Sequence, residues 1–202
     1  IEVMRSWDYA VSKESVAMSL AHFYATNALK DGSAPKGLNL MERFDYYANQ
    51  APAQERLELF SQTIAQLEAD FGQWNTPWGE INRYQRLDGE IKQAFNDSLP
   101  SIPVGMASGN WGALASYGAK TYDTKRLYGT SGNSFVAVVE FGDKVKAKTI
   151  LAGGQSGDPK SPHFDDQAQR YADVQFKDVA YYREDVEKRA KATYHPGEKV
   201  KK

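Results

Sequence analysis

The chain has 202 residues, long enough for one ordinary domain or two small ones, and its Lys+Arg 25 against Asp+Glu 26 leave a net charge of -1. That balance offers no field for nucleic acid or anionic lipid, and a hydrophobic fraction of 41% with mean hydropathy -0.62 excludes membrane insertion and wholesale disorder as class readings. Cys 0 removes thiol nucleophiles, cysteine-ligated zinc, iron–sulfur clusters and disulfides together.

Residues 1–15 carry no basic stretch leading into an apolar run, so neither a signal peptide nor an anchor is expected there. Ser12 or Ser15 is placed to cap a helix with Val16, Leu20, Phe23 and Tyr24 on one face, ending near Asp31-Gly32. The aromatic segment Leu38 to Asn49 reads as a second helix, and Pro52 suits the first turn of a third. Leu57, Phe60, Ile64, Leu67 and Phe71 recur at steps of three and four before Gly72, which predicts a helix over 53–71. Trp74, Pro77, Trp78 and Gly79 then form a turn-prone junction that divides a helical segment, 1–75, from a glycine-rich and strand-rich one, 76–202. Both are expected to be pieces of one larger domain.

Residues 99–134 hold many of the glycines and predict loops and short extended pieces. Two strands follow, 134–141 and 145–152, joined as a hairpin through Gly142-Asp143-Lys144. The near-continuous apolar run of the first predicts burial on both faces, whereas Lys146 and Lys148 in the second predict one open face. A short helix is expected over 164–172, a strand over 179–182, a terminal helix over 184–192 and a solvated tail from Gly197. The class is α+β, without internal repeats.

Candidate chemistry is sparse. Ser131 in Gly129-Thr130-Ser131-Gly132 and Ser156 in Gly154-Gln155-Ser156-Gly157 sit beside glycines, but a nucleophile elbow needs glycine two places after the serine, where Asn133 and Asp158 stand. The better reading of both is a tight turn. Ser33 and Lys36 have the spacing of serine–lysine enzymes, yet Pro35 breaks the helix that would bring them together. Glycines 129–132 precede a strand, not the helix that a phosphate cradle requires. His163 with Asp165 and Asp166 fits part of a metal site or proton relay, and fits better a capped helix start, for which Asp166→Ala costs about 0.5–2 kcal/mol. His22 falls in a helix and His195 in the tail, neither beside a second ligand. Lys188, Arg189, Lys191, Lys199, Lys201 and Lys202 read as a solvated basic end.

A longer pattern carries more than these. Gly132-Asn133-Ser134 before the first strand, Gly154-Gln155-Ser156-Gly157 after the second, then Ser161-Pro162-His163-Phe164 and Asp166-Gln167 follow in one order. Upstream come Trp7-Asp8-Tyr9 and Thr76-Pro77-Trp78-Gly79-Glu80, and downstream the Phe176 region and Tyr194-His195-Pro196-Gly197. This arrangement resembles the C-terminal end of penicillin-amidase-family acylases, in particular the acyl-homoserine-lactone and aculeacin types, and covers nearly the whole chain.

The resemblance implies an N-terminal-nucleophile hydrolase with an αββα core, made as one precursor and cut into two chains. A serine at the start of the larger chain attacks the amide carbonyl with its own α-amine as base, and an asparagine with backbone N–H groups holds the oxyanion. Residue 1 here is Ile1, which has no hydroxyl. No catalytic, metal or cofactor residue is carried over, and the substrate-binding positions are unassigned. The resemblance therefore implies a portion of an acylase acting on an acyl-homoserine lactone, β-lactam or lipopeptide side chain, in quorum quenching or antibiotic metabolism. Its partners would be the remaining chain segments, its setting the periplasm or exterior. Gln155, His163, Asp166 and Gln167 are the polar positions expected either to rim that site or to bond turn amides. The rival expectation is a free-standing, non-catalytic binding module of the same fold.

Overall fold

A computed structural model describes residues 1–195 and 197–198 of the chain, so the tail reading for 199–202, with Lys199, Lys201 and Lys202, lies outside the described residues, as does Pro196. After a single helical turn, α1 (Glu2–Arg5), comes α2 (Val16–Lys30). Of the two candidate caps it is Ser15 that accepts from the Met18 amide at 3.0 Å. The aromatic segment splits into α3 (Leu40–Asp45) and a π-helical turn, Tyr46–Gln50. Asn39 and Glu42 cap α3 reciprocally, and the Asp45 carboxylate takes the side-chain amides of Asn49 at 2.7 Å and Gln50 at 2.6 Å, holding the wider turn.

Helix α4 (Ala53–Phe71) ends at Gly72, whose φ of 81° is the left-handed conformation that glycine adopts without a Cβ clash. Its buried side differs from the expected stripe. Leu57 is 49% exposed, while Leu59, Thr63 and Leu67 are buried. Thr63 is admitted because its hydroxyl donates to Leu59 O at 2.9 Å and accepts from Asn27 of α2 at 3.3 Å.

Short α5 (Trp78–Ile81) runs into β1 (Asn82–Tyr84), the centre of a four-stranded sheet. Its order is β2-β1-β4-β3, with β2 at Ile102–Pro103, β3 at Tyr117–Lys120 and β4 at Leu127–Gly132. β1 runs parallel to β4, and the other pairs are antiparallel. The first core cluster joins Met18, Leu20, Phe23 and Leu67 to Trp78, Ile81, Ala107 and Leu127, and so draws on both sides of residue 76. Residues 99–134 are loops and short strands, as their composition predicts, with a 3₁₀ turn at Gly109–Trp111.

The hairpin forms as β5 (Phe135–Glu140) and β6 (Lys146–Leu151), in register from Phe135 opposite Leu151 to Glu140 opposite Lys146. The expected burial of β5 on both faces is corrected. Phe135 is 59% exposed, Val138 58% and Val139 42%, because β5 is the edge of a three-stranded sheet, β5-β6-β7, and no described element packs over it. β7 is Lys177–Asp178 and not 179–182; Val179 still donates to Ala147 O at 2.9 Å, while the Tyr182 hydroxyl turns back to accept from the Val145 amide at 2.8 Å. The helix expected over 164–172 is only α6 (Ala168–Ala172). The Phe164 carbonyl that a longer helix would use is taken by the Arg86 guanidinium instead. The terminal helix, α7, spans Arg183–Arg189.

Leu67 and Leu57 separate packing from pattern on one helix. Leu67→Ala should lower the unfolding free energy by about 2–5 kcal/mol, and Leu57→Ala by less than about 1 kcal/mol. Urea unfolding of both variants reads this, and equal losses would contradict the observed helix face.

Candidate functional site

The polar positions singled out in the sequence gather on the loop 153–167 that joins β6 to α6. Its backbone folds onto itself: Ser156 N donates to His163 O at 3.1 Å, and Gln167 N to Gly153 O at 2.8 Å. Ser156 Oγ accepts from Asp158 N at 3.1 Å, Asp158 Oδ1 from Lys160 N at 2.9 Å, and Ser161 Oγ from His163 N at 3.1 Å. Each is a side-chain oxygen replacing a missing backbone acceptor in a tight turn. A Cβ on Gly154 would strike the carbonyl groups of His163 and Phe164, so the loop closes only over glycine.

Arg86 anchors this loop from the end of β1. Its guanidinium donates to Phe164 O and, at 3.0 Å, to Ser156 O, and lies 4.0 Å from the centroid of the Phe164 ring. Two hydrogen bonds and one cation–π contact thus bridge 70 to 78 residues of sequence. Nothing local marks Arg86 as the anchor, since both carbonyls it satisfies lie in another segment.

His163 Nδ1 and Asp166 Oδ2 meet at 2.9 Å on the exposed side, whereas Asp165 contributes its backbone carbonyl to Ala168. The capping reading is corrected here: Gln167 stands at the N-cap of α6 without a side-chain cap bond. Gln167 instead accepts from Lys177 Nζ at 2.6 Å, joining the loop to β7. Gln155 is exposed and makes no side-chain hydrogen bond among the described residues.

Behind the loop, Tyr84, Tyr117 and Tyr171 line a cavity of about 250 Å³ with Gly129 to Gly132, Ser134 and Ala152. Tyr117 donates to Arg83 O at 2.7 Å and Tyr171 to Asn133 O at 2.8 Å. Burial pushes the Tyr171 phenol up to about 12 and raises those of Tyr117 and Tyr84, so all three stay protonated and none is a base at neutral pH. Ser131 reaches only Gly118 O, at 3.5 Å. Neither Ser131 nor Ser156 meets an imidazole or amine; Ser156 lies in a turn as expected, whereas the turn reading of Ser131 is corrected, because it sits within β4 opposite Gly118 of β3. Asn133 extends the β3–β4 pairing, accepting from Ser116 N through Oδ1 and donating its own backbone N–H to Ser116 O, both at 2.8 Å.

Ser33 and Lys36 are not brought together. Ser33 Oγ bonds the Asp31 carboxylate and, at 3.0 Å, Glu55 Oε1, while Tyr47 donates to Asp31 at 2.8 Å; these bonds, led by that from Ser33, hold the Asp31 carboxyl below its usual range. His195 is exposed and bonds through its amide to Glu198. His22 is the more unusual imidazole. It lies 4.9 Å from the Trp78 ring, 5.8 Å from Trp111 and 5.5 Å from Phe23, and its buried Nδ1 has no partner among the described residues. Burial, with the Lys30 charge adding to it, pulls its pKa down to about 4. No group of three His, Cys, Asp or Glu residues able to hold a metal occurs among the described residues.

A model of the family described as penicillin amidase matches residues 1–188.

Two predictions follow from the geometry. Asp166 in an exposed pair should matter less than Arg86: Asp166→Ala should cost less than about 1 kcal/mol and Arg86→Ala about 2–4 kcal/mol, as read by thermal unfolding, with the reverse order refuting the anchor. His22 binds a proton near pH 6.5 when unfolded but only near pH 4 when folded. Its contribution is therefore complete above pH 6.5 and is lost as pH falls to about 4, by about 3 kcal/mol in all. His22→Phe should remove that slope from a urea-unfolding series between those pH values; an unchanged slope would place the loss elsewhere.

Proposed function

Because the chain belongs to the penicillin amidase family, we propose that it is the C-terminal portion of an acylase that hydrolyses the amide of an N-acylated small molecule, such as an acyl-homoserine lactone or a β-lactam side chain. Family membership supports the hydrolase reading. The substrate and the position of the chain within the enzyme are the proposed part.

The observation that carries this role is the apolar, uncovered strand β5. Phe135, Val138 and Val139 would each leave water on burial, at about 25 cal/mol for every Å² of apolar surface removed, and the outer edge of β5 offers a row of backbone N–H and C=O groups. An isolated protein keeps such an edge short, charged or covered. A strand this apolar suits the interior of a larger sheet, which is the place an αββα core would give it. The loop held by Arg86 then fixes the far end of β6 against α6, so the hairpin is presented as a rigid unit.

The chemistry follows by division of labour. Attack on an amide carbonyl by serine in this family's manner needs an amine base beside it, and no described serine hydrogen-bonds an imidazole or an amine. In the proposed assembly the serine, its α-amine and the oxyanion donors are supplied by the other segments of the precursor, and this chain holds them in place through the shared sheet. No described helix is long and apolar enough to cross a membrane; a periplasmic or secreted setting is proposed on the family resemblance.

Val138→Asp tests the role. It should leave the stability of this chain within about 1 kcal/mol, because Val138 is already exposed, yet reduce co-purification with the remaining segments and cut hydrolysis of N-acyl substrates at least about tenfold. Normal assembly and turnover in this variant would overturn the proposal, and a monomeric chain with no bound segments would favour the free-standing module.

A further inference from the structure

Residues 107–117 form a loop whose ends meet. Tyr117 N donates to Ala107 O at 2.8 Å, and inside that closure Gly109 N donates to Ser116 Oγ at 2.7 Å. Trp111 and Ala113 pack on the first core cluster, while Leu114 between the loop's ends is 98% exposed. Gly112 at φ 81° and Ala115 at φ 58° are left-handed, a conformation that strains alanine. The loop is thus a strap, closed at its base and held at its tip by one indole. That indole lies across two helices, 5.8 Å from the His22 ring of α2 and 5.6 Å from the Phe44 ring of α3.

His22 is the member of this contact whose state can change. With its hydrogen on Nε2, the neutral ring leaves Nδ1 as a buried lone pair and strands no donor. Protonation adds a hydrogen at Nδ1, a donor without an acceptor among the described residues; Ser19 Oγ, one turn earlier, is itself buried and unpartnered and so does not reach it. The aromatic faces attract a cation, but burial outweighs them and, with the Lys30 charge, holds the pKa at about 4. No carboxylate is placed to offset this. The strap carries no charged side chain, and its Tyr117 donates to Arg83 O. Glu80 of α5 lies 3.9 Å from Arg83, and in α3 Glu42 is bonded to Asn39, Arg43 to Leu29 O, and Asp45 to Asn49 and Gln50.

A charged His22 must therefore meet water, and its walls differ in what holds them. Trp78 is 2% exposed with its indole N–H on Met106 O at 3.2 Å, and Phe23 is buried on the same helix as His22. Trp111 is half-buried and carried between two glycines. We propose that the strap 107–117 is an acid-released latch, closed on α2 and α3 while His22 is neutral and swung away when His22 takes up a proton. The latch assumes nothing about amide hydrolysis.

Hydrogen exchange read by mass spectrometry on the complete protein tests it, each peptide being corrected for the intrinsic pH dependence of exchange. A proton that the open state binds and the closed state refuses multiplies opening about tenfold per pH unit between pH 6.5 and about 4. Protection of 107–117 should accordingly fall at least about tenfold between pH 6.5 and about pH 4.5, while β4 stays protected. His22→Phe should abolish the fall, and His22→Gln, equally unable to take the charge, makes the same comparison should phenylalanine prevent folding. Constant protection of the strap in the parent protein, an equal loss in β4, or a loss that survives these substitutions would refute the latch.

Discussion

The fold depends on how a chain with few long elements satisfies its backbone after residue 75. Loops rich in glycine leave carbonyl groups facing the interior, and an unpartnered buried carbonyl costs about 1–3 kcal/mol. The run Asn82 to Arg86 answers most of them with side chains. Asn82 donates to Val104 O and Met106 O, both at 2.8 Å. Arg83 donates to Gly79 O at 2.8 Å and Ser101 O at 2.6 Å, and Gln85 to Asn96 O at 2.9 Å and Pro100 O at 3.1 Å. Arg86 completes the series on the loop 153–167. One strand of three residues, with its two followers, thus acts as a comb of donors that sets the path of segments up to about 78 residues away.

This explains what could and could not be read from the sequence. The helices α2 and α4 were legible because capping and a 3.6-residue period are local signals, written by Ser15, Leu67 and Gly72 within the elements themselves. The hairpin was legible for the same reason. The parallel pairing of β1 with β4 was not, since Asn82 opposite Leu127 joins residues with most of the glycine-rich stretch between them. Arg86 was equally hidden: an arginine after a short strand looks like any solvated cation until the carbonyls of Ser156 and Phe164 are placed around it. The early start expected for α6 failed on the same contact, which no periodicity records.

The motif that carried the resemblance proves to be largely architecture. Asn133 extends the β3–β4 pairing, Gly154 allows the loop to close, and Gln167 links loop to β7. The pair His163–Asp166 faces outward, as does Gln155. An ordered motif of this kind is what a rigid support for an active site requires, because positioning residues must be held by bonds of their own before they can hold anything else. The same reasoning accounts for the exposed β5. The backbone of the loop at the hairpin base is closed on itself and on Arg86, while the apolar strand β5 is left open.

The titratable groups divide along the same line. Tyr117 and Tyr171 are kept protonated by burial and donate to carbonyls; Asp31 is ionised and accepts from Ser33 and Tyr47; His22 is neutral among aromatic rings. A catalytic group needs a poised proton and an unoccupied lone pair or hydrogen directed at substrate. The tyrosines have no accessible proton equilibrium near neutral pH, Asp31 has spent its oxygens, and His22 is walled in by Trp78, Trp111 and Phe23. Burial of the tyrosines and of His22, and hydrogen bonding of Asp31 against its own desolvation, have stabilised the state in which each group supports the fold.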